Sequence, residues 1–244
     1  MEATRDMEKQ QGWWEDRAEQ YYETMYITDA VKSYVTGRRA GLAADRLQEG
    51  ERFLDLGVGT GTIFEEILSR GGFRGVGMDY THNMARIARG KQGNEGAGFL
   101  QGNGIELPFR DYSFDLVFSV DVFHHIAFDG LDYVDQALAE VKRVLSPGGT
   151  LLIYEANPLN VYWYYYMNKI GEDNARLMRR GFLQKKIRRA GFELREGRYI
   201  GFVPQFLSPG MLSVFRGIER CVETAPLFNK LCSNYYVAAT KTDD

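Results

Sequence analysis

Two carboxylates, an amide and a histidine pair are spaced along this chain as if to meet around one pocket. Gly57, Gly59 and Gly61 follow the apolar run of Phe53, Leu54 and Leu56 and precede Ile63–Leu68. A short buried strand that turns through glycines into a helix leaves backbone N–H groups facing a cavity, with no β-carbons in the way. Such a loop cradles a small molecule, and Asp55 stands at its entrance. Asp79 closes the next apolar run, Gly75-Val-Gly-Met-Asp79, about twenty residues beyond the glycines, where a doubly wound sheet holds a carboxylate for ribose hydroxyls. Two features thus agree on a nucleotide-like ligand. His124 and His125 end a further apolar run that begins at Leu116. A histidine there is a candidate general base, His124 before His125, for an acceptor that must lose a proton. Asp121 with the two histidines is a conceivable metal set. Strand alternation, however, points His124 and His125 to opposite sides, and no metal is expected.

The elements that must position these groups alternate. Strands are expected at Phe53–Leu56, Gly75–Asp79, Phe99–Asn103, Leu116–His125 and Thr150–Glu155. Helices lie between them, at Ile63–Arg70, at His82–Arg89 behind a Thr81 N-cap, and along the apolar stripe Leu131, Val134, Leu138, Val141 and Leu145. This alternation implies a mostly parallel sheet with helices on both faces. Residues 12–47 read as helical, with Trp13, Trp14, Tyr21 and Tyr22 at helix-compatible spacing and Gly50 as a stop. They are either a helix pair on a sheet edge or an aromatic flap over the pocket. Two aromatic stretches remain. Pro158–Gly181 carries Tyr162, Trp163, Tyr164, Tyr165 and Tyr166, and Pro204–Ser233 carries Phe206, Leu207, Met211, Leu212, Val214, Phe215 and Ile218.

Length and composition bound the rest. The 244 residues are 44% hydrophobic and 26% charged with a net charge of -3, which fits one large globular domain without the polycationic footprint of a nucleic-acid binder. Cys221 and Cys232 supply no disulfide framework, and a reducing cytoplasm is the expected location. No apolar run reaches membrane-spanning length, so no integral membrane contact is expected. A peripheral membrane helix in Pro204–Ser233 is weighed and set aside, because Arg216, Glu219, Arg220 and Glu223 mix signs.

Leu54-Asp-Leu-Gly-Val-Gly-Thr-Gly61, Asp79, Leu107-Pro-Phe109 before Phe114-Asp115, His124-His125 and Glu140–Gly149 stand in an order that resembles the class I S-adenosylmethionine-dependent methyltransferases. Within that class the chain is similar to the small-molecule group that includes the ubiquinone and menaquinone biosynthesis enzymes. The resemblance is strong over residues 50–155 and weak beyond. It implies a Rossmann-like three-layer sandwich, α/β, with a seven-stranded sheet of order 3-2-1-4-5-7-6 whose last strand is antiparallel. It also implies a helical N-terminal lid segment over residues 1–48 and a methyltransferase domain over 49–244. Acceptor-site inserts fall at about 158–181 and 204–233.

The resemblance assigns Gly57, Gly59 and Gly61 to the amino acid and ribose region of S-adenosylmethionine, and Asp79 to the ribose hydroxyls. Asp55 orients the loop or reaches the ammonium through water. Tyr80 and Ile105 sandwich the adenine, Asn103 accepts from its amino group where the family frequently has Asp, and Ser119 offers backbone groups. Met84 and Gly104 flank this pocket, and Tyr21 belongs to the helix that closes over it. The implied activity is methyl transfer to a small apolar or aromatic acceptor by in-line displacement, releasing S-adenosylhomocysteine. Two other functions compete. A nicotinamide oxidoreductase wants two residues before its third glycine, which Gly57-x-Gly59-x-Gly61 does not provide. A catalytically silent S-adenosylmethionine-binding scaffold or regulator would need the same glycines and Asp79.

Overall fold

The computed structural model describes residues 11, 12, 15, 28–91, 93, 94, 96–160, 176–204 and 207–242. Helix α1 (Asp29–Ala44) starts where Thr28 Oγ1 accepts the N–H of Val31. There follow β1 (Arg52–Leu56), α2 (Thr62–Leu68), β2 (Arg74–Asp79), α3 (His82–Gly90), β3 (Gly98–Gln101), β4 (Phe114–Val120), α4 (Phe123–Asp129), α5 (Leu131–Val144) and β5 (Leu145–Ala156). The chain ends with α6 (Arg180–Arg189), β6 (Phe192–Ile200), α7 (Pro209–Thr224), a 3-10 turn at Asn229–Leu231 and β7 (Asn234–Lys241).

The seven strands form one sheet in the order β3-β2-β1-β4-β5-β7-β6, as the resemblance implies. The first five strands run parallel, and β7 is antiparallel to both β5 and β6. Because successive residues of a strand face opposite sides, each central strand feeds two cores. Leu54, Val117 and Ile153 face the side covered by α5 and α6, where Val134, Leu138, Val141, Leu183 and Ile187 meet them. Phe53, Leu116, Phe118 and Leu152 face the other side, against Phe64 and Ile67 of α2 and Ala40 and Ala43 of α1. Strands buried on both faces explain why the sequence shows continuous apolar runs rather than alternation.

Two boundaries differ from the sequence reading. Leu145 does not end the helical stripe. It opens β5 in an extended conformation, and the strand runs on through Pro147 and Gly148. The apolar run from Leu116 does not reach His125 as a strand either. β4 stops at Val120, Asp121 takes a positive φ of 55°, and Phe123 begins α4. The cause lies on β5: Glu155 Oε1 accepts the N–H groups of Val122 at 3.1 Å and Phe123 at 2.8 Å, which caps the helix and turns the chain.

Of the N-terminal flap, Gln11, Gly12 and Glu15 are described and helical. Tyr21, Tyr22 and both tryptophans at 13 and 14 lie outside the described residues, as do 161–175 of the first aromatic insert. Glu15 itself is tied to the sheet domain. Its carboxylate accepts the N–H groups of His82 at 2.7 Å and Asn83 at 2.9 Å, capping α3 beside the end of β2.

Candidate functional site

A cavity opens at the carboxyl ends of β1, β2 and β4, the place where doubly wound sheets bind ligands. The β1–α2 loop forms one wall, and its three glycines differ in what they do. Gly57, at φ 80°, lies so close to α4's approach that a β-carbon would stand 2.1 Å from Val122 Cγ2. Gly61, at φ 74°, packs on α3, where a β-carbon would fall 2.8 Å from that of Ala88, and it is not part of the cavity wall. Gly59 alone faces open space, with no atom within 4 Å of where its β-carbon would be.

Asp79 ties this loop to β2. Its Oδ2 accepts the N–H of Gly59 at 2.9 Å, and its Oδ1 accepts both the N–H and the hydroxyl of Thr81 at 2.9 Å. Burial pushes the Asp79 carboxyl above the usual range, and these hydrogen bonds pull it back. Asp55 is buried beneath the same cavity, and burial, reinforced by the charge of Asp79, pushes its pKa up to about 8.

Tyr80, Met84, Asn103, Gly104 and His125 also line the cavity. Asn103 Oδ1 already accepts the N–H of Ile105 at 3.1 Å, leaving one further lone pair. Besides Gly61, three residues assigned to the pocket lie outside its wall. Ile105 packs against the core cluster on the α5 side, while Ser119 is fully buried in β4. His124 is also buried outside the wall, with Nδ1 at 2.6 Å from Glu155 Oε2. A one-residue difference on a helix is a rotation of about 100°, so His125 reaches the cavity while His124 faces the sheet.

Asp121, His124 and Glu155 each offer a ligand atom within 4.8 Å of the others. Two of the three are hydrogen-bonded to each other: Glu155 spends one oxygen on two backbone N–H groups of the α4 turn and the other on His124. This is a different grouping from Asp121 with both histidines.

Arg39 is not singled out by the sequence, and Asp121 enters there only as part of a conceivable metal set. Arg39 of α1 is 5% exposed, with Nη2 3.4 Å from Asp121 Oδ2 and its guanidinium 4.6 Å above the ring of Tyr154. An Arg-Arg pair on an amphipathic helix ordinarily reads as solvated surface, and nothing in the local sequence marks Arg39 as buried. Asp121 lines the cavity, is strained at φ 55°, and has no hydrogen-bond partner at Oδ1. Burial raises its pKa, Arg39 and His124 lower it, and Glu155 raises it.

A second cavity adjoins the first, and Arg39 belongs to the walls of both. Val35, Tyr154, Ile200, Val203, Pro204 and Leu231 make most of it apolar. Asn234 contributes a buried amide whose Nδ2 has no hydrogen-bond partner. Its outer wall is fixed by an ionic knot. Arg38 binds Glu223 through both terminal nitrogens, at 2.8 and 2.9 Å, and Glu219 at 2.6 Å, while the Tyr34 hydroxyl donates to Glu219. Glu219 in turn accepts the N–H groups of Phe202 and Val203, clamping the chain that leaves β6.

The sequence profile of the family described as "Methyltransferase domain" matches residues 54–153, the segment that carries the first cavity. Residues 54–153 form a methyltransferase domain. The fold around them is that of the class I S-adenosylmethionine-dependent enzymes. The chain is 37% identical over 130 residues to a demethylmenaquinone methyltransferase of Thermobifida fusca, covering 51% of each chain. It is 36% identical over 105 residues to the mouse protein named "Probable tRNA methyltransferase 9B", covering 43% of this chain and 22% of that one. The chain spans about half the length of the demethylmenaquinone methyltransferases it matches. Among solved structures, an S-adenosylmethionine-dependent methyltransferase of Mesorhizobium loti superposes with a TM-score of 0.61 at 18% identity, over 83% of this chain and 98% of that one.

The cofactor of a methyltransferase domain with this fold is S-adenosylmethionine, and the residues of the first cavity fit it. Open space at Gly59 lets a ligand approach the backbone. Asp55, Asp79, Asp121 and Asp129 set four carboxyl groups against the single guanidinium of Arg39, a balance that favours a ligand carrying sulfonium and ammonium charges.

Proposed function

We propose that the chain transfers the methyl group of S-adenosylmethionine to a small apolar or aromatic acceptor held in the second cavity. The observation that carries this reading is Arg39, one side chain that forms part of both cavity walls. An acceptor in the second cavity therefore lies one side chain away from the donor. Apolar walls suit a ring or short hydrocarbon, and the amide of Asn234 with the guanidinium of Arg39 suits an acceptor oxygen on it. The name of the demethylmenaquinone methyltransferase relatives is consistent with that class. The bound cofactor supplies an electrophilic methyl on sulfur, and the protein's part is to align the acceptor and exclude water.

In this reading Asp79 and the Gly59 backbone orient the donor, and Asp55 answers its positive charge. The N-terminal segment acts as a lid in this reading, and Glu15 within it caps α3 beside the cavity. Asp121, at the junction of the cavities, is better placed than His124 to receive a proton from an acceptor hydroxyl, and His125 stands at the cavity wall beside it.

The test is release of S-adenosylhomocysteine from purified protein supplied with S-adenosylmethionine and 1,4-naphthalenediol, with unmodified tRNA as the contrasting acceptor. Product formation with the diol supports the reading. Binding of S-adenosylmethionine without product from either acceptor favours the silent scaffold, and product from tRNA alone replaces the acceptor class.

A further inference from the structure

We propose that α7 and the turn following it form a docking surface for an anionic lipid bilayer. The sequence argues against this, since Arg216, Glu219, Arg220 and Glu223 alternate in sign. The fold removes the objection. Glu219 is buried, and Glu223 is turned inward onto Arg38 of α1. Those two are the acids of residues 207–233. The exposed ionic side chains left on this segment are Arg216, Arg220 and Lys230, all basic.

The same segment exposes apolar bulk. Leu227 is 83% exposed, Phe228 59% and Val214 62%, with Met211, Ile218 and Leu231 also exposed. At about 100° per residue, α7 meets the protein through Leu212 and Glu219. It turns outward a surface with Met211, Val214 and Ile218 along one edge and Arg220 along the other. Small residues, Gly210, Ser213 and Gly217, lie between the edges. An apolar edge for the acyl boundary beside a basic edge for phosphate headgroups is the chemistry of an interfacial helix. Among the described residues no helix is long and apolar enough to cross a membrane, so the contact is with the surface. Leu231 belongs both to this patch and to the wall of the second cavity, so the docked face and the cavity are continuous.

The experiment is co-sedimentation of the full chain with vesicles of phosphatidylcholine alone and of phosphatidylcholine with phosphatidylglycerol in equal parts, at low and high salt. The protein is expected to pellet with the phosphatidylglycerol vesicles at low salt and to be released at high salt. Leu227→Ser with Phe228→Ser should weaken that binding by on the order of tenfold. Arg220→Ser and Lys230→Ser should each weaken it about fivefold. All four positions are exposed, and Phe182→Ser on α6 serves as an exposed apolar control that binds like wild type. Circular dichroism identifies any variant that fails to fold, and Leu227→Ser alone then stands in for the pair. Wild type that stays in the supernatant with phosphatidylglycerol vesicles at low salt overturns the proposal, as does equal binding by the Leu227→Ser, Phe228→Ser variant. Self-association removed by the same pair, without vesicle binding, would assign the patch to a second copy of the chain instead.

Discussion

Arg39 lies across the junction of two cavities, with its guanidinium stacked on Tyr154 and one terminal nitrogen 3.4 Å from the carboxylate of Asp121. Asp121 is bound from the other side, its N–H donating to the carbonyl of Tyr154 at 2.8 Å. The pair and the ring thus form one unit joining α1, β4 and β5. Arg39→Ala leaves the Asp121 carboxylate buried without its cation, and a loss of about 3–5 kcal/mol is expected. Urea unfolding of the variant measures it, and Arg39→Ala with Asp121→Asn should recover part of the loss.

Asp79 accepts three hydrogen bonds, one from Gly59 of the glycine loop and two from Thr81. Asp79→Ala is expected to weaken S-adenosylmethionine binding by about 1–3 kcal/mol, the worth of charge-assisted hydrogen bonds to one carboxylate. Isothermal titration calorimetry reads this directly, and unchanged affinity would remove Asp79 from the donor site.

The glycines make a contrasting pair. Gly57→Ala drives a methyl into Val122 as well as straining a positive φ, whereas Gly59→Ala meets only the strain. The expected costs are above about 3 kcal/mol for the first and about 1–2 kcal/mol for the second. Chemical denaturation of both variants gives the order, and Gly59→Ala should in addition weaken cofactor binding.

Burial pushes the Asp55 pKa from 3.8 up to about 8, so the folded protein holds a proton that the unfolded chain has released. The native state binds the extra proton between those values, and stability of the free protein is therefore expected to fall as pH rises from about 4 to about 8 and then level off. A cationic ligand favours the carboxylate. Cofactor binding near pH 7 should accordingly release a proton, and affinity should rise with pH up to about 8. Calorimetry in buffers of different ionisation enthalpy counts the proton, and Asp55→Asn should abolish its release.

The parts of this molecule that were legible in its sequence are those set by local rules. Strand and helix order follows from apolar period, and the Gly57-x-Gly59-x-Gly61 loop and the acid at Asp79 follow from the sharp turn and the β2 terminus. What was not legible depends on contacts between distant elements. His124 and His125 read as a strand end because the cap that converts them to a helix is Glu155, thirty residues on. Arg39 reads as surface because its partners, Asp121 and Tyr154, come from the turn after β4 and from β5. The mixed charges of α7 read as a neutral face because the Arg38 that withdraws its two acids is on α1, far away in the sequence. Ile105 carries a side chain of plausible type at a plausible position, yet it packs against the core.

The account rests on donor and acceptor occupying adjoining but separate cavities, and a plug in one of them tests it most directly. Val35 lines the second cavity and stands apart from the first. For Val35→Trp, S-adenosylmethionine affinity by calorimetry is predicted to stay within about twofold of wild type, while S-adenosylhomocysteine release with 1,4-naphthalenediol falls by more than about tenfold. Full transfer by this variant, or a parallel loss of cofactor affinity in a folded protein, would contradict the two-cavity arrangement.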